Sequence, residues 1–222
     1  MKSYEEKTQK YATWGDKYLQ HTDVLYSIQY EDKFKPINVQ LCLCEVCDSD
    51  CPFCSVAARP LKSYIPWEKL TKMLVDFREM GAKALEITGG GNPMLYRDRQ
   101  AKKTISDVVE FAGELGFDIG IITNSENIER HLNPEVFKYV NWLRVSLIKL
   151  DEGKSPTDYN FGSFPRDKIG LSYIIYDGTQ WQVASTVGAA GATGPIGAGI
   201  IMGLGAIDYN RDGYQDLYIT QD

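Results

Sequence analysis

Cys47-Asp48-Ser49-Asp50-Cys51-Pro52-Phe53-Cys54 places three thiols at C-x3-C-x2-C spacing on one short stretch. Three thiols this close do not resolve into disulfides, because one is always left over. They can instead converge on a metal centre. Three thiolates on an iron–sulfur cluster leave one iron without a protein ligand, open to a substrate or cofactor. A structural zinc site competes for the same residues, but it needs a fourth ligand. His21 and His131 are the only histidines and lie far off in sequence, so Cys42 or Cys44 would have to complete it.

All five cysteines fall between positions 42 and 54. That clustering predicts a metal site in a reducing compartment, the cytoplasm, and not a disulfide framework. Over 222 residues, 43% hydrophobic and 24% charged content fits a folded core. A net charge of -6 argues against a broad nucleic-acid-binding surface. The N-terminal MKSYEEKTQKYATWGDKYLQ is charged and has no apolar centre, unlike a signal peptide.

Around the cysteines, strands and helices alternate. Residues 1–35 read as a leading helix, over Tyr4–Leu19, and a connecting loop. Ile37–Leu43 is a β-prone run, with Cys42 and Cys44 at its end as ordinary buried thiols. Pro66 opens a helix to about Met80, with Leu70, Met73, Leu74 and Phe77 at helical spacing and Gly81 after it. Ala84–Thr88 reads as a strand, Ile105–Leu115 as a helix ended by Gly116, and Phe117–Thr123 as a third strand. Pro134–Val140 reads as a short helix, Trp142–Leu147 and Ile169–Tyr176 as the last two strands. Such βα alternation predicts a parallel sheet, whose functional end is the C-terminal end of its strands. The Cys loop, Gly89-Gly90-Gly91-Asn92-Pro93, Thr123-Asn124 and Ser146 all fall at that end. Three glycines let backbone approach a ligand closely and offer it N–H and C=O groups.

The Cys motif, with Phe53 just before its last cysteine, resembles the signature of the radical S-adenosylmethionine (radical SAM) enzymes. The resemblance covers residues 36–176. It implies a [4Fe-4S] cluster on Cys47, Cys51 and Cys54, with S-adenosylmethionine chelating the open iron and Phe53 near its adenine. Gly89, Gly90, Gly91 and Asn92 resemble the family's Gly-Gly-Glu-Pro element, which binds the cofactor's amino group. Asn92 stands where Glu is common, so it offers a carbonyl but no charge to an ammonium. Thr123, Asn124 and Ser146 match residues that touch the cofactor's ribose or carboxylate. The family fold is a partial (βα)6 barrel. Five strands are legible here, and the polar link from Leu150 to Lys168 stands where a helix is expected, so the expected barrel is incomplete. The implied activity is reductive cleavage of S-adenosylmethionine, giving a 5'-deoxyadenosyl radical that attacks an unidentified substrate. The implied electron donor is a flavodoxin or ferredoxin.

From Gly178 the sequence turns glycine-rich and lacks lysine. Asp208, Asn210, Asp212 and Asp216 place oxygen side chains at loop positions 1, 3, 5 and 9, with Gly213 at 6, the logic of a Ca2+ loop. This tail resembles an FG-GAP/VCBS propeller repeat, which implies Ca2+ held by those four side chains and the Tyr214 carbonyl. One blade cannot bury its own faces, so the expectation is a fragment of a truncated or chimaeric reading frame. Residues 183–207 are uncharged but contain Pro195 and several polar residues, which disfavours a membrane span. The expected organisation is an N-terminal helix and loop over 1–35, a radical SAM partial barrel over 36–177, and a β-rich, Gly-rich segment over 178–222. Two functions fit: a radical SAM enzyme, or a catalytically impaired metal- and calcium-binding interaction module.

Overall fold

Five short apolar segments carry the fold, and all five pair in parallel. The structure, a computed structural model, describes residues 21–31, 35–54 and 56–174. The expected helix over 4–19 and the 178–222 segment, with Asp208, Asn210, Asp212, Tyr214 and Asp216, lie outside the described residues.

The chain enters through α1 (Thr22–Tyr30), where the sequence had predicted a loop. Val24, Leu25 and Ile28 stand at helical spacing, but only Val24 and Ser27 are buried, and Tyr26, Ile28 and Tyr30 are exposed. Then follow β1 (Asn38–Leu41), α2 (Trp67–Glu79) and β2 (Ala84–Ile87). A small hairpin, β3 (Arg97–Asp98) and β4 (Lys103–Thr104), leads into α3 (Ile105–Glu114). The sheet continues with β5 (Asp118–Thr123), β6 (Val140–Ser146) and β7 (Ile169–Ser172). Its order is β1-β2-β5-β6-β7, each strand lying beside the one before it in the sheet.

Parallel neighbours require crossovers, and helices supply the first two. Leu70 and Leu74 of α2 and Val108, Val109 and Ala112 of α3 pack into one core with Leu85, Ile87, Ile119, Ile121, Leu143 and Val145. Those strand residues alternate and form one fully buried face, while Glu86, Ile122 and Arg144 on the opposite face are half-buried. Gly81 and Gly116, at positive φ, end the two helices as expected. Pro66 caps α2 without a side-chain bond, and Asp98 Oδ2 accepts the Trp67 N–H at 2.8 Å in its place.

The later crossovers differ. Pro134–Tyr139 is a 3-10 helix, not an α-helix. Between β6 and β7 the chain makes three single 3-10 turns, Ile148–Leu150, Pro156–Asp158 and Arg166–Lys168. Among the described residues the sheet is open, with β1 and β7 as its edges. No helix among them is long and apolar enough to cross a membrane.

Candidate functional site

The Cys loop leaves β1 and returns along itself. Leu43 O accepts from Ile65 N at 2.9 Å, Cys44 bridges Tyr64, and Glu45 N donates to Ser63 O at 2.9 Å. This short antiparallel ladder closes the base of the loop. The outgoing limb, Cys44–Val46, is pressed onto the glycine run after β2. Gly91 N donates to Cys44 O at 2.9 Å and Asn92 N to Val46 O at 2.7 Å. A Cβ on Gly91 would stand 1.9 Å from Val46 O, and one on Gly90 2.3 Å from Cys42 Sγ. So the glycines do permit a close approach, but of backbone to backbone. The N–H groups of residues 91 and 92 are spent on the Cys loop and are not turned to a ligand.

Asn92 is 2% exposed. Its Nδ2 donates to Asp48 Oδ1 at 3.0 Å and Ser125 Oγ at 2.9 Å. Its Oδ1 accepts from Thr123 Oγ1 at 2.7 Å and Met94 N at 3.2 Å. Both amide protons and both lone pairs are used. Thr123 Oγ1 also accepts from Ser125 N at 3.0 Å.

Asp48 is the hub. Its Oδ2 accepts from Lys149 Nζ at 2.6 Å. Lys149 follows β6, is 5% exposed, and reaches Glu126 Oε2 at 2.9 Å as well. Burial alone would raise the Asp48 carboxyl, yet the bonds from Lys149 and Asn92 hold it below the usual carboxylate range. Glu126 is lowered in the same way, its burial outweighed by Lys149. Burial would depress the Lys149 ammonium, but Asp48 and Glu126 raise it. The three groups are therefore charged together. Beside them Asn124 Nδ2 donates to Ser49 Oγ at 2.7 Å and approaches Cys47 Sγ at 3.7 Å. Glu152 accepts from Ser49 Oγ and Asp50 N, each at 3.2 Å.

Cys47, Cys51 and Cys54 are free, half-buried thiols. Cys54 N donates to Cys51 O at 3.0 Å, closing the turn that carries Phe53, itself half-buried. Arg59 Nη1 donates to Cys54 Sγ at 3.2 Å and Arg59 Nε to Glu45 O at 2.9 Å. Burial pushes the Cys51 thiol up to about 11, with the neighbouring Cys47, Glu152 and Cys54 adding to it. Among the described residues no three Cys, His, Asp or Glu side chains converge as one ion requires. A [4Fe-4S] cluster asks less of them, since each thiolate takes a different iron. Three free thiols on one loop, one beside a guanidinium and one beside an amide N–H, suit such a cluster chemically. The thiols considered as fourth zinc ligands have other partners: Cys44 Sγ faces Asn92 O at 3.5 Å, and Cys42 Sγ faces Glu45 Oε1 at 3.6 Å.

No protein-family profile matches the chain, and no curated protein does. The solved structures similar to it include two of SuiB from Streptococcus suis. One, bound to the precursor peptide SuiA, is 19% identical, with a TM-score of 0.48 over 72% of this chain and 38% of that one. The other, bound to S-adenosylmethionine, is 16% identical, with a TM-score of 0.43 over 73% and 39%. The chain thus spans about two fifths of the length of these proteins.

Of the residues singled out in sequence, Cys47, Asn92, Thr123 and Asn124 meet in one hydrogen-bonded network. Gly90 and Gly91 underlie the Cys loop, with Gly89 preceding them at positive φ. Ser146 closes β6 in register with Ser172. Asp48, Ser125, Glu126 and Lys149, which join the rest, went unread. Asp48 lies inside the Cys motif, and Ser125-Glu126 directly follow Thr123-Asn124, so neighbourhood was the available signal. Lys149 carried none, because a lysine after a strand is ordinarily a solvated one.

Proposed function

We propose that the chain is a radical SAM protein that holds a [4Fe-4S] cluster on Cys47, Cys51 and Cys54. The observation that carries this is the fixing of a three-thiol loop over the C-terminal ends of β2, β5 and β6 by Asp48, Asn92 and Lys149. When bound, the cluster supplies one electron for reductive cleavage of S-adenosylmethionine. The protein's part is positional. Asp48 fixes the loop between its first two thiols. Asn124 offers an N–H toward Cys47 Sγ, and Arg59 Nη1 donates to Cys54 Sγ, so two of the three sulfurs already have a hydrogen-bond donor beside them. Phe53, Gly89 and Ser146 border this face as candidate contacts for the cofactor.

One observation favours a second reading, a metal-binding module without turnover. Asn92 is fully bonded within the protein, so a cofactor ammonium finds no open acceptor on it. Anaerobic reconstitution with iron and sulfide separates the readings. About four irons per chain are expected, lost in Cys47→Ala, Cys51→Ala and Cys54→Ala and kept in Cys42→Ala. Release of 5'-deoxyadenosine from S-adenosylmethionine after reduction supports the enzyme; a stable cluster without it supports the module. Stoichiometric zinc and no visible absorption would refute the iron–sulfur reading and leave a zinc-binding module.

A further inference from the structure

A cavity of about 910 Å³ lies on the other side of the Cys44–Val46 limb. None of Cys47, Cys51, Cys54, Asn92 or Asn124 lines it. Its volume suits a small organic ligand. Leu61, Met94 and Leu95 give it apolar walls, and Tyr64 and Tyr96 stand edge to face there, with ring centroids 6.4 Å apart.

Its charge is one-sided. Lys62, Arg97, Arg99 and Arg130 line it, and among the described residues no carboxylate does. That inverts the protein's net charge of -6. All four cations are exposed, and among the described residues none forms an ion pair with a carboxylate. Asp98 and Asp107, the two acids of the hairpin and the helix after it, are engaged elsewhere, and the Glu45 carboxylate is buried under the Cys44–Val46 limb. Asp98, between the two hairpin arginines, is 4% exposed and accepts from Trp67 N, Gln100 N and Ala101 N at 2.8–2.9 Å. Asp107 is bonded to Lys103 at 2.8 Å and to Thr104. Asp98 thereby ties the arginine-bearing hairpin to the start of α2. Arg97 and Arg99 leave from a braced turn, while Arg130 comes from the loop after β5.

We infer that this cavity is a second ligand site, one that takes an organic anion with an apolar or aromatic body. Arginine presents forked donors that match the oxygens of phosphate or carboxylate, and here three line one cavity with no carboxylate ion pair among the described residues. The apolar walls take the body of the ligand. This inference stands apart from the cluster, since neither the thiols nor their network line the cavity.

The test uses the full chain without reconstitution, and titration calorimetry with phenyl phosphate, benzoate and phenol. Phenyl phosphate or benzoate should bind at least tenfold more tightly than phenol, and the tighter of the two identifies phosphate or carboxylate as the group recognised. Arg97→Ala combined with Arg99→Ala should weaken that binding at least tenfold, and Arg130→Ala should weaken it too. These residues are exposed, so melting temperatures should hold. Lys72→Ala, at a distant exposed ion pair, should change nothing. Added salt should weaken binding by screening. The inference is overturned if neither anion binds, if phenol binds equally well, if the arginine variants bind as wild type does, or if Lys72→Ala weakens binding as much as they do.

Discussion

Lys149→Met removes the cation that joins Asp48 to Glu126, while keeping most of the side chain's bulk. Removing one partner of a fully buried ion pair costs about 3–5 kcal/mol. Here the lysine side chain is 7% exposed, but those of Asp48 and Glu126 are 36% and 21% exposed, so solvent recovers part of the loss. An exposed pair contributes at most about 1 kcal/mol, and this network lies between the limits, at about 2 kcal/mol. For a chain of this size that lowers the melting temperature by about 4–8 °C. The loss should also be local. Asp48 sits between Cys47 and Cys51, so freeing it should quicken labelling of those thiols by a disulfide reagent, read by peptide mass spectrometry. Asp48→Asn in the Lys149→Met background should cost less than it does alone, with a coupling on the order of 1 kcal/mol. Unchanged melting and labelling, or strict additivity of the pair, would refute the role given to Lys149.

The same network sets a pH window. Asp48 and Glu126 titrate lower in the fold than in the unfolded chain, so their contribution is present above about pH 4 and lost as pH falls through the folded values. Lys149 is raised, so its contribution is present below about pH 10.4 and lost as pH rises through its folded value. Thermal melts should therefore show a plateau in Tm across neutral pH, and Lys149→Met should flatten its alkaline edge; an unaltered edge would count against the assignment. Gly91→Ala should displace the Cys loop, since its Cβ would overlap Val46 O, at a cost of about 3 kcal/mol and with a fall in iron incorporation. Full stability and full iron in that variant would show that the limb can move. Asn92→Glu should destabilise by about 2 kcal/mol, because it sets a second carboxylate against Asp48 and removes a donor from Ser125. A more stable variant with tighter S-adenosylmethionine binding would show that position 92 faces the cofactor instead.

What was legible in the sequence followed from periodicity. Leu70, Met73, Leu74 and Phe77 marked α2, Gly81 and Gly116 marked helix ends, and the apolar runs marked every strand of the sheet to within a few residues. Thr22–Tyr30 carries Val24, Leu25 and Ile28 at helical spacing, but nine residues with no side-chain N-cap bond and a tyrosine-rich surface do not separate a short helix from a loop. The β3–β4 hairpin was missed because two-residue strands have no period; the three hydrogen bonds to Asp98 define it. The Cys loop was legible as chemistry but not as packing. Nothing in Gly89-Gly90-Gly91 tells whether the close approach they permit is to a ligand or to another backbone. The register of Gly91 and Asn92 against Cys44 and Val46 decides it, and that is a tertiary fact.

The shape of the sheet bears on both candidate sites. Its first two crossovers are helical and rigid; its last two are 3-10 turns and loop. Yet the residues that brace Asp48 come from both kinds of connection: Asn92 from the helical half, Glu126 and Lys149 from the irregular half. Without long helices to fix them, the loops after β5 and β6 are held by polar bonds, with Asn160 N donating to Glu126 O at 2.6 Å and Lys149 joining both loops to the Cys motif. The Cys loop is thus a structural member as well as a candidate ligand set, closing the open face between β2 and β6. The Cys44–Val46 limb carries this load on one side and forms a wall of the cationic cavity on the other. A ligand that moves the limb from the cavity side must disturb the two backbone bonds to Gly91 and Asn92, and through Asn92 the bond to Asp48. One three-residue segment therefore serves both as a wall of the cavity and as the strip that Gly91 and Asn92 bind beneath the thiol loop.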